Sequence, residues 1–253
     1  MNLNLKGKIA IVTGGARGIG KGCCIALAQE GCDLIMADFD CEREIYASMD
    51  KLAEENHVRI TCIQGDVSNE ETVANIFRQA ERTFGRVDIL VNNAGRGSIR
   101  KPFHLLTTED WRAVQDVTLN SMYFMCREFV RLCREKNQPG SVVNVLSKSA
   151  FTTNSVDNTT YVCAKAGAWG LTKGIANEMA NYNIRVNGVV PGYVQTERTY
   201  LDGEERTERM RKLLPTGQFT QPIEIGRVVA FLASDKASSI IGAAVDCSGG
   251  TML

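Results

Sequence analysis

Short apolar runs alternate with longer amphipathic stretches along the chain, and the first run leads directly into a glycine-rich turn. This alternation is typical of a parallel sheet whose strands are joined by crossover helices. The runs lack alternating polar residues, which indicates strands covered on both faces. They are Ile9–Thr13, Leu34–Ala37, Ile60–Ile63, Ile89–Val91, Val142–Leu146, Val186–Val190 and Ile240–Val245. We therefore expect an α/β fold, in one domain over residues 1–253.

Two helix starts can be read between these runs. Residues 68–71, Ser-Asn-Glu-Glu, fit a capping box, and residues 107–110, Thr-Thr-Glu-Asp, give a second helix an acidic first turn. The chain has no internal repeat, low-complexity stretch or proline-rich linker. A segment rich in Glu and Arg, from Glu197 to Lys212, is the one apparent insertion in the pattern.

Charge and hydropathy exclude several classes of protein. The 29 Lys and Arg residues equal the 29 Asp and Glu residues in number, so no overall field attracts nucleic acid or an anionic membrane. The chain has no run of about 18 apolar residues, and its first residues lack the apolar stretch of a signal peptide. We expect a cytoplasmic protein without nucleic-acid or membrane partners.

Cysteine and histidine give no pattern for a metal. The nine cysteines are odd in number, irregularly spaced and without a CxxC pair, so we expect most of them to be small buried hydrophobes. His57 and His104 lie far apart and outside any ligand pattern. No metal is expected.

The turn after the first run is a candidate phosphate-binding loop. It reads Thr-Gly-Gly-Ala-Arg-Gly-Ile-Gly over residues 13–20 and opens an amphipathic segment that continues to about Glu30. Glycines allow the backbone to turn tightly and to approach a pyrophosphate, whose charge then lies at a helix N-terminus. The spacing is G-x-x-x-G-x-G, so the position between strand and helix carries the interpretation.

Asp38 ends the second apolar run, 18 residues after Gly20. A carboxylate there can accept hydrogen bonds from the adenosine ribose hydroxyls, and it repels a 2′-phosphate. Arg17 argues in the other direction, because a cation in the loop can bind that phosphate. We weigh Asp38 more heavily and expect NAD, with NADP as the less favoured cofactor.

Four motifs in order resemble those of the short-chain dehydrogenase/reductase family, in its single-domain type of about 250 residues. They are the glycine-rich turn, Asp66-Val67, Asn92-Asn93-Ala94-Gly95 and the Tyr-x-x-x-Lys motif at 161–165. The resemblance covers essentially the whole chain, from Gly7 to the Ser-Gly-Gly tail at 248–250. It implies a doubly wound, seven-stranded Rossmann-type sheet with helices on both faces, and commonly a homotetramer, with a homodimer as the other assembly.

The resemblance also implies contacts to the cofactor. Asp66 and Val67 would hold the adenine, residues 93–95 would line the ribose and nicotinamide region, and residues 191–196 would grip the nicotinamide amide. Together with the glycine-rich turn, the expected contacts are Gly14, Arg17, Gly18, Ile19, Gly20, Asp38, Phe39, Asp66, Val67, Asn93, Ala94, Gly95, Tyr161, Lys165, Pro191, Gly192, Val194 and Thr196.

The expected chemistry is hydride transfer between NAD(H) and a secondary alcohol or ketone, with Tyr161 as general acid/base. A free tyrosine has a pKa near 10. Lys165 lies four residues later, on the same face of a helix, and its charge would favour the phenolate. By resemblance, Lys165 also holds the nicotinamide ribose, and Ser147 bonds the substrate oxygen. Ser149 is an alternative, because the interval from Ser147 to Tyr161 is one residue longer than usual.

One position departs from the family pattern. Many relatives carry an asparagine in the helix before the fifth strand, and alignment from Trp111 places Thr118 there, with Asn120 two residues on. In relatives the main-chain carbonyl at this position holds a water that meets the lysine. A threonine supplies the same carbonyl, so we expect an altered proton relay with activity retained.

The substrate is the least constrained part of the sequence. A small polar alcohol, such as a polyol or hydroxy acid, a hydroxysteroid, and a 3-oxoacyl carrier-protein thioester reduced with NADPH all remain open. A non-catalytic dinucleotide sensor is a further alternative. Arg96, or else Arg100 or Lys101, would meet an anionic or polyhydroxylated substrate. A substrate lid is expected at about 196–215. Its charges are Glu197, Arg198, Asp202, Glu204, Glu205, Arg206, Glu208, Arg209, Arg211 and Lys212.

Overall fold

The sheet expected from the apolar runs is present. In the computed structural model, seven strands, all parallel, lie in the order β3-β2-β1-β4-β5-β6-β7. The strands are β1 Ile9–Thr13, β2 Asp33–Asp38, β3 Ile60–Gln64, β4 Ile89–Asn92, β5 Gly140–Val145, β6 Ile184–Pro191 and β7 Ala244–Cys247. The structure describes residues 2–152, 156–197, 199 and 203–252, with only the backbone of Arg206.

Helices cover both faces of this sheet. They are α1 Gly18–Gln29, α2 Arg43–Asn56, α3 Glu70–Phe84, α4 Thr108–Gln115, α5 Ser121–Glu135, α6 Thr159–Met179, α7 Glu204–Lys212 and α8 Pro222–Ala233. A π-helical segment, Asp116–Asn120, joins α4 to α5. None of the helices described is long and apolar enough to cross a membrane.

Alternate residues of a strand pack into two separate hydrophobic cores, one on each face of the sheet. In β1, Ala10 and Val12 join the core beneath α1, α2 and α8, whereas Ile11 joins the core beneath α3, α5 and α6. Successive side chains of a strand point to opposite faces, so an unbroken apolar run fills both cores at once. This explains why the apolar runs predicted the strands.

The carboxyl end of β1 is where the winding reverses. β1 pairs with β2 on one side and with β4 on the other, and the two connections leave the sheet in opposite directions. A crevice forms outside the strand ends at such a switch point. The glycine-rich turn follows β1 and therefore lies at this crevice.

Two local predictions were wrong. α3 is capped by Asn69, whose side chain accepts from the N–H groups of Glu71 and Thr72, whereas the Ser68 hydroxyl donates to Asp66. β7 begins at Ala244 rather than at 240, because Gly242 has a left-handed φ of +69° that a strand residue cannot adopt. The capping box at Thr107 and Asp110 is present.

Six of the nine cysteines are buried, and none forms a disulfide. Burial raises the pKa of Cys23 and of Cys126 to about 12. These thiols behave as small apolar side chains, as expected. Within the described part of the chain, no three His, Cys, Asp or Glu residues are grouped so as to hold a metal ion.

Candidate active site

The glycine-rich turn owes its shape to positions where a side chain would be strained or would clash. Gly14 and Gly18 have φ values of +63° and +50°, and a Cβ at Gly20 would overlap the Gly14 carbonyl oxygen. α1 begins at Gly18. The turn therefore presents bare backbone and a helix N-terminus to the crevice, which suits a pyrophosphate.

A cleft of about 960 Å³ lies over this turn at the carboxyl ends of the strands. Most of the residues expected to contact a dinucleotide line it. They are Gly14, Arg17, Gly18, Ile19, Asp38, Phe39, Asp66, Val67, Asn93, Ala94, Gly95 and Thr196. The cleft is large enough for a dinucleotide-sized ligand.

Acidic residues dominate the end of the cleft at β2. Asp38 accepts hydrogen bonds from the backbone N–H groups of Ala16 (2.9 Å) and Asp40 (3.3 Å). Arg17 forms an ion pair with Asp40 at 2.9 Å and lies 4.0 Å from a carboxylate oxygen of Glu42. Arg17, the cation of the glycine-rich turn, therefore already has carboxylate partners.

Asn93 holds the turn against the end of β4. Its side-chain amide donates to the carbonyl oxygens of Thr13 (3.0 Å) and Gly14 (2.8 Å). The Thr13 hydroxyl in turn accepts from the backbone N–H groups of Asn93 and Ala94, both at 3.1 Å. The side chains of Asn93 and Thr13 thus hold the glycine-rich turn against β4. For Thr13, the sequence did not indicate this role.

A second cavity of about 180 Å³ adjoins the cleft and shares Ile19, Asn93, Gly95, Arg96 and Gly97 with it. Ser147, Tyr161 and Lys165 all line this smaller cavity, together with Pro191 and Gly192. The three expected catalytic residues, which lie at the end of β5 and in the first turns of α6, therefore meet beside the cleft.

Lys165 is buried, with 4% of its surface exposed. Its Nζ donates a 2.6 Å hydrogen bond to the Val145 carbonyl oxygen and lies 5.8 Å from the centre of the Tyr161 ring. Burial lowers the pKa of Lys165 to about 8. The ammonium is still the main form at neutral pH, close enough to favour the phenolate of Tyr161.

The two candidate serines differ in position. Ser147 caps the short 3₁₀ helix Lys148–Ala150, and its hydroxyl oxygen accepts from the N–H of Ser149. Ser147 lines the smaller cavity and Ser149 does not. Of the two serines, Ser147 is therefore the one that lies in the same cavity as Tyr161 and Lys165.

Two residues that were expected to contact the cofactor, Gly20 and Val194, line neither cavity. Gly20 is buried under the turn, where a Cβ has no room. Val194 packs in the core and forms an isolated bridge with Thr220. Thr196 reaches the cleft wall, and its backbone N–H and hydroxyl both contact the Thr199 hydroxyl.

Comparison with known proteins identifies the family of this chain. A family model described as enoyl-(acyl carrier protein) reductase matches residues 14–252. The 3-oxoacyl-[acyl-carrier-protein] reductase FabG of Thermotoga maritima is 34% identical, over 99% of this chain and 100% of its own. The solved structure of gox2181 superposes with a TM-score of 0.93 at 35% identity, covering 99% and 98% of the two chains.

The chain belongs to the short-chain dehydrogenase/reductase family. It is thus an oxidoreductase that uses a nicotinamide dinucleotide. A further solved relative, described as a putative 2-deoxy-d-gluconate 3-dehydrogenase from Agrobacterium tumefaciens with bound NADP, has a TM-score of 0.89 at 28% identity, covering 99% and 98% of the two chains.

Thr118 gives this short-chain dehydrogenase/reductase a contact that sequence analysis missed. It lies in the π-helical segment and is fully buried. Its hydroxyl donates to the Arg96 carbonyl oxygen (3.2 Å) and accepts from the Arg96 N–H (3.0 Å). The position was singled out for its main-chain carbonyl, whereas its side chain fixes the loop after the Asn-Asn-Ala-Gly motif.

The expected lid is described only in part. α7 carries Glu204, Glu205, Glu208, Arg209, Arg211 and Lys212. Arg198 and Asp202 lie outside the described residues, and so does the side chain of Arg206. Glu197 lines the cleft beside Thr196.

Proposed function

We propose that this protein transfers a hydride between NAD(H) and a secondary alcohol or ketone, with Tyr161 as general acid/base. One observation carries the proposal. Tyr161, Lys165 and Ser147 line a single cavity that opens beside a cleft shaped for a dinucleotide. The proposal covers one catalytic domain, residues 1–253, with a substrate lid at about 196–215.

In oxidation, Tyr161 takes the hydroxyl proton of the alcohol, and in reduction it returns that proton to the carbonyl oxygen. The positive charge of Lys165 would favour the phenolate form of Tyr161. Ser147 donates a hydrogen bond to the substrate oxygen and stabilises the charge that develops there. The bound cofactor supplies the hydride acceptor or donor, and Lys165 would hold its nicotinamide ribose.

NAD is the preferred cofactor in this proposal. The 2′-phosphate of NADP would meet the carboxylate of Asp38 and would compete with Asp40 for Arg17, which Asp40 contacts at 2.9 Å. Placing like charges together is costly, whereas a ribose hydroxyl donates readily to a carboxylate. Asp66 and Val67 would contact the adenine at the same end of the cleft.

NADPH-dependent reduction of a 3-oxoacyl carrier-protein thioester is the second candidate. The similarity to the FabG protein of Thermotoga maritima and to a relative with bound NADP favours it. The acidic end of the cleft argues against it. The name of the NADP-bound relative refers to a sugar acid, which favours a polar hydroxy acid as substrate in the first candidate.

We also propose a homotetramer, or else a homodimer, in the cytoplasm, with α8 and the residues before Val245 in the subunit contacts. The helix α8, Pro222–Ala233, is proposed for this role by analogy with the family. Light scattering on the purified protein tests this proposal, and a monomeric mass would contradict it.

The function is tested by a substrate screen. Purified protein is mixed with NAD or NADP and with polyols, hydroxy acids, 3-hydroxyacyl thioesters or hydroxysteroids, while the absorbance of reduced cofactor is followed. We expect turnover with NAD and one class of alcohol. Turnover with NADP and thioesters alone would favour the second candidate, and NADH binding without turnover on any substrate would point to a sensor.

A further inference from the structure

The walls of the 180 Å³ cavity carry an unbalanced positive charge. Among the described residues that line it, Arg96 and Lys165 are basic and none is acidic. Lys148, which directly follows Ser147, does not line the cavity, and its Nζ lies 3.7 Å from the centre of the Tyr193 ring. A cavity with charge of one sign attracts a ligand of the opposite sign.

Of the two basic residues that line the cavity, Arg96 is the one to which no role has yet been given. Lys165 serves Tyr161, whereas Arg96 is exposed and, in the part of the chain that the structure describes, has no carboxylate within 4.0 Å. Arg17, by contrast, is matched by Asp40 and Glu42. An arginine offers five donors in a planar fork, which fits a carboxylate or a phosphate.

The backbone of Arg96 is fixed in place. Both its N–H and its carbonyl oxygen are hydrogen-bonded to the hydroxyl of Thr118, which is fully buried. A loop residue held at two points loses less conformational freedom when its side chain binds a ligand. Thr118 is therefore a positioning residue that joins the π-helical segment to the mouth of the cavity.

We propose that Arg96, positioned by Thr118, binds an anionic group of the substrate, so that this enzyme acts on secondary alcohols or ketones that carry a carboxylate or a phosphate. The inference rests on the proposed function, because it concerns the cavity that holds Tyr161. It names the substrate class that the sequence left open.

The test measures binding without turnover. A reduced cofactor and an alcohol cannot react together, so NADH and an alcohol form a dead-end complex with the wild-type enzyme. Binding is followed by NADH fluorescence. The carboxylate probes are 3-hydroxybutyrate and its neutral methyl ester, and the phosphate probes are glycerol 3-phosphate and neutral glycerol.

We expect the anionic member of one pair to bind at least about tenfold more tightly than its neutral partner. Arg96→Gln should remove that difference, Arg96→Lys should restore part of it, and the dissociation constant of NADH should stay unchanged. The preference should also fall as salt is added, since Arg96 is exposed. The pair that shows the preference identifies the group as carboxylate or phosphate.

Lys101→Gln is the matched control. It removes a positive charge five residues along the same loop, but Lys101 is paired with Asp110 at 2.6 Å and lines neither cavity. We expect it to keep the anionic preference. Thr118→Val, which removes both hydrogen bonds to Arg96, should weaken binding of the anionic probe and leave the neutral probe unaffected.

Three outcomes would overturn the proposal. The first is that neither anionic probe shows saturable binding. The second is that Arg96→Gln weakens the binding of anionic and neutral probes equally. The third is that Arg96→Gln weakens NADH binding enough to explain the whole loss of affinity for the anionic probe. The last would assign Arg96 to the cofactor phosphates. Because no hydride is transferred in this experiment, its result is independent of whether Tyr161 is the acid/base, which turnover with oxidised cofactor decides.

Discussion

Lys165 donates a 2.6 Å hydrogen bond to the main-chain carbonyl oxygen of Val145, from a position where only 4% of the residue is exposed. The bond joins the first turns of α6 to the end of β5. It places a buried ammonium between the strand that leads to Ser147 and the helix that carries Tyr161. The cost of burying that charge appears as a pKa of about 8.

This cost gives a prediction for stability against pH. Unfolded lysine has a pKa near 10.4, so the unfolded state binds more protons than the folded state between pH 8 and that value. The contribution of Lys165 to stability therefore rises with pH across this window. We expect Lys165→Met to be more stable than wild type at pH 7 by about 1–3 kcal/mol, with the gain fading towards pH 10.

Urea unfolding at both pH values measures this difference. Lys173→Met is the matched control, because Lys173 is exposed on the same helix. A stability difference between wild type and Lys165→Met that is the same at both pH values would contradict the prediction.

The acidic end of the cleft gives a prediction for cofactor choice. The side-chain oxygen of Asn can still accept the 2.9 Å hydrogen bond from the Ala16 N–H, so Asp38→Asn removes the charge and keeps that bond, while the longer bond from the Asp40 N–H to the other carboxylate oxygen is lost. We expect the ratio of the NADPH to the NADH dissociation constant to fall at least about tenfold. Fluorescence titration measures both constants, with exposed Asp50→Asn as the control. An unchanged ratio would show that Asp38 does not select the cofactor.

Ser147 and Ser149 can be separated by their effects on turnover. Loss of a donor to a developing oxyanion costs about 100- to 1000-fold in kcat. We expect Ser147→Ala to lower kcat by that amount and Ser149→Ala to have little effect, since Ser149 does not line the cavity. The measurement is steady-state kinetics on the substrate that the screen identifies. The reverse pattern would assign the role to Ser149.

Thr118 gives a prediction for the proton relay. Asparagine at this position, as in many relatives, would change the segment whose main-chain carbonyl is expected to serve the lysine. We expect Thr118→Asn to shift the pH dependence of kcat, whereas Thr118→Ser, which keeps the hydroxyl that contacts Arg96, should leave it in place. An unchanged pH profile in Thr118→Asn would remove the altered-relay interpretation.

Much of the fold could be predicted because its signals are local. The strands of a sheet covered on both faces must be apolar throughout, so Ile9–Thr13 was predicted with the bounds that it has. The glycines of the turn follow from left-handed φ values and close contacts within eight residues of chain. β7 was placed too early because Asn187, far away in sequence, bonds the Ile240 carbonyl oxygen and the Ala243 N–H and shapes the bend before the strand.

The parts of the site that escaped sequence analysis depend on contacts between distant residues. Thr118 and Arg96 are 22 positions apart, and Arg17 and Asp40 are 23 apart. The hydrophobic periodicity of the sequence cannot predict such pairs, because they form only when the loops at the carboxyl ends of the strands come together. The motif positions identified which residues matter, and only the structure gives their partners.

The assignment of Tyr161 as the acid/base is tested by the variant Tyr161→Phe. The variant removes the phenolic oxygen and keeps the ring that lies near Lys165. We would measure kcat with the alcohol from the screen and NADH binding in the same preparation. We expect turnover to fall by about 100-fold or more while NADH binds as in wild type. Turnover near the wild-type rate, with the cofactor bound, would contradict it.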